Sequence, residues 1–252
     1  MKTLYFDCFS GISGDMTIGA LLDLGADPNY LEDELRKLNF DSEYKLTWEK
    51  VVKKGVSATK FDVLVEENNH DHHHGHHHHH EHHHHRHYSD IVKMIESADF
   101  NENVKKVALQ IFEVIGRAEA KIHNMPFEKV HFHEVGGVDS IIDIVGTSIL
   151  LDHLNISKVV SSSVPVGNGY IRIAHGMYPV PAPATLELLK GIPIKETKIM
   201  GELTTPTGAG ILAVLAEHFG PIPSMKIQAI GYGAGTKDFA DHPNVLRVML
   251  GE

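Results

Sequence analysis

Apolar residues recur at helical spacing along much of the chain and alternate at strand spacing in a few shorter stretches. Val104, Val107, Ala108, Ile111, Val114, Ile115 and Ala118 share one face of a helix that opens after Asn101 and runs to about Lys121. Leu31, Leu35 and Leu38 mark a shorter helix opening at Asp27-Pro28, and Tyr88-Ser89-Asp90 caps another over 91–98. The stretch 141–154 is apolar on nearly every face, which predicts a deeply buried helix, and Asp143 inside it then needs a partner. Residues 44–52 and 57–65 alternate, predicting a hairpin about Lys53-Lys54-Gly55 with Lys60, Asp62 and Glu66 on its outer face. Short apolar runs at 3–6, 159–166, 225–232 and 245–250 read as further strands. Together they predict an α/β protein in which mixed sheet layers pack against helices, in one body or two subdomains over 1–67 and 88–252.

Three polar, glycine-bearing junctions interrupt this pattern. In 130–140, an extended backbone would send His131 and His133 to the same side, about 7 Å apart. Gly136-Gly137 then permits a sharp turn, and Asp139 or Ser140 can cap the helix that follows, with Asp139 and Asp143 one turn apart. His131, His133, Glu134 and Asp139 are therefore the candidate reacting groups, able to share a metal or take a proton. The plainer reading is a half-exposed strand followed by an ordinary capped helix. In 7–16, a strand ends at Asp7 and a Gly/Ser-rich loop leads into a helical pattern, an arrangement suited to an anion. It lacks the lysine of a Walker A loop and the glycine spacing of a dinucleotide fingerprint. Ser10, Gly11, Ser13 and Gly14 are candidate phosphate contacts, although Ser13 and Asp15 can equally serve as helix caps. Asp7 and Asp15 are candidate metal ligands, with Asp7 alternatively a turn residue; Cys8 reads as a small buried hydrophobe. In 202–210 the same grammar returns, with Thr205 as cap, Pro206 as first helical residue, and Thr205, Thr207 and Gly208 as phosphate candidates.

Fourteen of the twenty residues in 68–87 are histidine. Such a segment has no hydrophobic periodicity to order it, so it reads as a disordered loop with a metal-binding composition. Its interior position and its interruption by Asp71, Gly75, Glu81 and Arg86 argue against an added tag. The ligand candidates are His72, His73, His74, His76, His77, His78, His79, His80, His82, His83, His84 and His85. Near the end of the long helix, Glu119 and His123 sit one turn apart and read as a surface pair.

The net charge of −10 argues against nucleic acid or an anionic membrane as partner. A single cysteine excludes an intrachain disulfide and fits a reducing cytoplasm, and no apolar run reaches membrane-spanning length.

The segments 6–16, 131–140 and 204–210, with the histidine tract, resemble the nickel insertion proteins that mature the nickel-pincer cofactor of lactate racemase. The resemblance covers the whole chain. It implies insertion of Ni(II) into pyridinium-3,5-bisthiocarboxylic acid mononucleotide by a lyase-type nickel chelatase. CTP, with Mg or Mn, would be the co-substrate and apo-lactate racemase the downstream recipient. Relatives of that family carry a further C-terminal region associated with CTP, so a chain of 252 residues is expected to need that region as a companion. Two rival readings stand beside it. One is a non-catalytic nickel store or metallochaperone, for which the tract alone suffices. The other is a metal-dependent phosphohydrolase built on Asp7, His131, His133 and Asp139.

Overall fold

The computed structural model describes residues 1–65, 86–132, 135–173 and 175–252. In chain order, β1 (Thr3–Asp7) leads to α1 (Gly14–Asp23), α2 (Pro28–Leu35), and the hairpin β2 (Tyr44–Lys53) and β3 (Val56–Val65). Three helices follow, α3 (Tyr88–Ser97), α4 (Glu102–Ile122) and α5 (Val138–His153), then β4 (Lys158–Ser161). The chain continues through β5 (Val164–Pro165), β6 (Gly167–Asn168), the hairpin β7 (Tyr170–Ile173) and β8 (Gly176–Pro179), and α6 (Pro183–Leu188). It closes with β9 (Ile194–Lys195), β10 (Gly201–Glu202), α7 (Pro206–Leu215), β11 (His218–Phe219), β12 (Ile227–Ala234) and β13 (Val245–Gly251).

Seven strands form one mixed sheet in the order β11-β4-β1-β13-β12-β3-β2. β1 runs parallel to β4 and antiparallel to β13, so strands from opposite ends of the chain lie side by side. β12 joins the halves, antiparallel to β13 and parallel to β3 through Thr59 and Lys60. The class is therefore α/β with a mixed sheet, and segments from both sides of the histidine tract share it. Strand alternation divides its faces: Leu4 and Phe6 enter the main core with Ile18, Ile111 and Ile141, whereas Tyr5 meets Val160, Met249 and Met225 on the other side.

The long-helix stripe forms as its period demands. The Asn101 side chain accepts the Asn103 N–H at 2.9 Å to cap α4, and Val104, Ala108, Ile111 and Ile115 are buried. Two expectations differ. The strand expected over 159–166 breaks after Ser161, and β5 pairs with β9 instead of continuing the large sheet. The extended strand expected around His131 is not formed by the described residues there. Phe127–Lys129 make one 3-10 turn, Val130 N–H bonds back to Phe127 O at 3.1 Å, and His131 makes a single bridge to His87. Val130 and Phe132 do point inward, 1% and 0% exposed, so the apolar alternation is real. It simply has no strand ladder beside it to extend.

Loop 8–13 is stitched to the segment before α7. Ile12 N–H donates to Leu203 O and Thr205 N–H to Ile12 O, each at 3.1 Å. Gly11 sits at φ +87°, and a Cβ there would lie 2.0 Å from Leu203 O. Gly55, in the β2–β3 turn, has φ +82° with open space around it. Gly11→Ala should therefore lower stability by about 1–3 kcal/mol more than Gly55→Ala, the difference being the clash alone. Urea denaturation of the two variants measures that difference; equal losses would remove the stitched loop as a constraint.

Candidate functional site

Val65 and Arg86, on either side of residues 66–85, meet the same short segment. Val65 pairs with Tyr44 at the end of the hairpin, and Arg86 reaches Glu43 with N–O distances of 2.7 and 2.8 Å. The Arg86 guanidinium also lies 4.8 Å over the Phe40 ring. Arg86 and His87, the last two residues of the expected loop 68–87, are thus held in place by these contacts. His87 then packs its ring on His131 at 3.9 Å, and Tyr88 N–H donates to Val130 O at 3.3 Å. Phe132 anchors this junction: fully buried, it packs against Phe112 at 6.1 Å and Tyr88 at 6.2 Å. His131, its neighbour, is exposed. His133 and Glu134 lie outside the described residues, as do His72 to His85 and the disordered-loop expectation for them.

A second cluster forms where α1, α5 and β3 converge. Gly14 is the first residue of α1, and a Cβ on it would lie 2.4 Å from Asp143 Cβ and 2.5 Å from Asp143 Oδ2. Only glycine admits the Asp143 carboxyl group this close to the α1 N-terminus. Protein surrounds that carboxyl group even though the residue keeps an edge of accessible surface. Burial pushes its pKa well above the ordinary carboxylate range, and the Asp15 and Asp139 carboxylates push it further. Lys60 and the Asp15 backbone N–H pull part of the way back. Lys60 is only 8% exposed, and its Nζ donates to Asp15 Oδ2 at 3.1 Å, to Phe61 O at 2.9 Å and to Asp62. Burial lowers the Lys60 pKa, but Asp15 and Asp62 outweigh it, leaving the ammonium strengthened. The cluster therefore holds a fixed cation beside an acid that favours its neutral form. Asp139 occupies the first turn of α5 and Gly137 the cap position, so neither Asp139 nor Ser140 is the cap expected. The negative charge of Asp139 still suits the positive end of that helix.

The two expected phosphate loops have few donors to offer. Ser10, Gly11, Ser13 and Gly14 are buried. Ser13 Oγ donates to Asp15, and the N-terminus of α1 already holds Asp143. Around α7, Gly208 N–H goes to Thr205 Oγ1 at 3.2 Å and the Thr205 and Thr207 hydroxyls bond each other at 2.9 Å. These contacts weigh against phosphate at α1 and leave the Thr205–Thr207 end of α7 the more open of the two. Asp7 falls on the sheet face of Tyr5, where Arg247 Nε donates to its Oδ2 at 2.9 Å. Asp7 is thus engaged by Arg247, and Asp15 by Lys60. Among the described residues, no group of three or more His, Cys, Asp or Glu has metal-holding geometry. Among them, no helix is long and apolar enough to cross a membrane.

Lys60 is the residue that pattern reading misplaced, since hairpin alternation puts it on an outer face. The signal for the cluster was Asp143, a lone carboxyl in an apolar helix.

These features define a mixed-sheet α/β protein with an Asp143–Asp15–Lys60 cluster at the start of α1 and a His87–His131 contact next to residues 66–85. Residues 4–252 match the nickel insertion protein family, and the chain belongs to it. A relative from Geobacillus kaustophilus, named pyridinium-3,5-bisthiocarboxylic acid mononucleotide nickel insertion protein, is 60% identical over 252 residues. That match covers 100% of this chain and 60% of the relative. A relative of the same name from Staphylococcus epidermidis is 53% identical over 248 residues, covering 98% of this chain and 59% of its own length. The chain thus spans about three-fifths of the curated relatives it matches. No solved structure matches it.

Because its folded pKa is raised, ionising Asp143 costs stability, which is fully present below the ordinary carboxylate pKa and is lost as pH rises through the raised value. Asp143→Asn should therefore gain stability relative to the parent as pH climbs from about 4 to about 8. Urea midpoints across that range test the sign; a variant that falls further behind at high pH contradicts it.

Proposed function

We propose that this chain is the metal-handling part of an enzyme that inserts Ni(II) into pyridinium-3,5-bisthiocarboxylic acid mononucleotide. The observation that carries the reading is the contact of His87, the last residue of 68–87, with His131, beside the Arg86–Glu43 ion pair. In this reading the tract captures Ni(II) as substrate, since imidazoles bind nickel and release it by exchange. His131 and His87 receive it from the adjoining chain. Forming the nickel–carbon bond replaces a ring C–H, so its proton must pass to a base, a role assigned here to His131, His133 or Glu134. Two thiocarboxylates then complete the nickel–sulfur bonds. The substrate phosphate is assigned to the Thr205–Thr207 end of α7, where helix polarity favours an anion. CTP with Mg or Mn is assigned to the C-terminal region that relatives carry. The product passes to apo-lactate racemase. The single buried cysteine fits a cytoplasmic setting, and the reaction class is that of a lyase-type chelatase.

The test uses the chain together with that C-terminal region, nickel, the mononucleotide and CTP, read out by activation of apo-racemase. His131→Ala should lower cofactor yield by about a hundredfold while bulk nickel binding persists. Unchanged yield would move the site away from this junction, and nickel binding with no cofactor from the parent protein would favour the storage reading. Nickel capacity itself should fade below about pH 6, because protons compete for imidazoles whose reference pKa is about 6.5. Calorimetric titration at several pH values measures it; full capacity retained in acid would point to carboxylate ligands.

A further inference from the structure

The two faces of the large sheet are covered differently. Gly231 and Gly233 of β12 face α1: a Cβ on the first would lie 2.2 Å from Ala20 O, and one on the second 1.8 Å from Met16 O. Alternation sends Ile230 and Tyr232 to the opposite face, together with their β13 partners Met249 and Arg247. Each helix from α1 to α7 sends apolar residues into the core that Leu4, Phe6 and Val248 also enter. The smaller clusters on the other face, Tyr5–Val160–Met249 and Ala58–Ala234–Val245, take no helical residue among those described. A loop from Gly220 to Lys226 crosses that face instead. The Tyr5 hydroxyl donates to Gly220 O at 3.0 Å, and a Cβ on Gly251 would lie 2.9 Å from Met225 Sδ. Ile222 in this loop, and Ile227 and Ile230 on β12, are 47%, 45% and 46% exposed. Ile227 and Ile230 pair with Gly251 and Met249, so they are neighbours on this side of the sheet. A sheet face turned to water carries polar residues at such positions; isoleucines gathered there suit a second layer.

We infer that this isoleucine face is the docking surface for the further region that relatives carry. The matches leave about two-fifths of each relative outside this chain. Thr3, the first residue of β1, pairs with Gly251, the last of β13, and Gly251 pairs in turn with Ile227. Both chain ends therefore lie at one end of the sheet, and a region joined to either leaves beside Ile227. Lys226 and Glu252 exchange backbone hydrogen bonds of 2.7 and 3.3 Å, which holds that point of departure at the rim of the face. An element tethered there meets the face at an effective concentration of order millimolar, so a modest contact area suffices. The chemistry of the face selects an apolar stripe, packed as a second layer about 10 Å from the strands. A charged stripe would be desolvated against Ile222, Ile227 and Ile230 with no partner. The Asp7–Arg247 ion pair on the same side marks the polar border of the contact. The inference rests on the relatives' length and the sheet's geometry, and does not depend on the nickel insertion reading.

The experiment produces the chain alone and joined to the region that the Geobacillus kaustophilus relative carries outside the match, in the order found there. Amide hydrogen exchange is then compared between the two. Residues 222–228 should exchange at least about tenfold more slowly in the joined protein. The β7–β8 hairpin, whose Tyr170 and Met177 are also exposed, should exchange alike in both. Ile230→Asp should remove the slowing in the joined protein while leaving exchange in the chain alone unchanged, which reports an intact fold. Ile222→Asp, in the loop and outside any strand, repeats the test at a position the sheet does not need. Equal exchange at 222–228 with and without the region overturns the inference, as does slowing that survives both variants. Slowing in the chain alone that grows with its concentration and vanishes in Ile230→Asp would assign the face to a second copy, and overturns it too.

Discussion

A carboxyl group inside an apolar helix must be met by something, and in this protein the meeting of Asp143 with the start of α1 fixes much else. α5 is buried along most of its length, so protein surrounds most of Asp143. It lies against Gly14 and takes the Asp15 N–H, which sets how closely α1 and α5 approach. Lys60 then reaches in from β3 to balance Asp15 and Asp62. One polar residue thereby ties two helices and a strand together, and it does so at the end of α5 that follows the His131 junction.

The same contact explains where the sequence was legible and where it was not. α4, α5 and the β2–β3 hairpin follow from periodicity, because each buries a face or stripe that the pattern states directly. Loop 8–13 did not, because a glycine- and serine-rich loop before a helix has one grammar for two uses. It can leave its amides open to a phosphate, or occupy them with the protein's own carboxylate. Asp143, more than a hundred residues away, takes the Asp15 N–H at that helix start, and no local window contains it. Lys60 was misplaced for a similar reason. Alternation assigns it an outer face, yet the presence of Asp15 on α1 and Asp62 beside it draws the ammonium into a buried position. His123 was read as a surface residue because its packing partner, His175, arrives from a distant hairpin.

The placement of the tract's ends is the other feature that composition alone could not supply. A histidine run of any geometry would bind nickel, and a store needs no more than that. Here Val65 and Arg86, which bracket residues 66–85, meet at residues 43–44, and His87 passes at once into its contact with His131. The cost of bringing two chain positions about twenty residues apart together grows only slowly with their separation, and the Arg86–Glu43 ion pair and the Val65–Tyr44 register both favour it. The consequence is kinetic as much as structural. In the proposed reading, a metal bound on the tract would face its acceptor at an effective concentration of order millimolar, whatever the free metal level. Transfer in that reading is an exchange between imidazoles on one chain. Weak, exchangeable ligation is an advantage in that setting, since each station must let go for the next to receive.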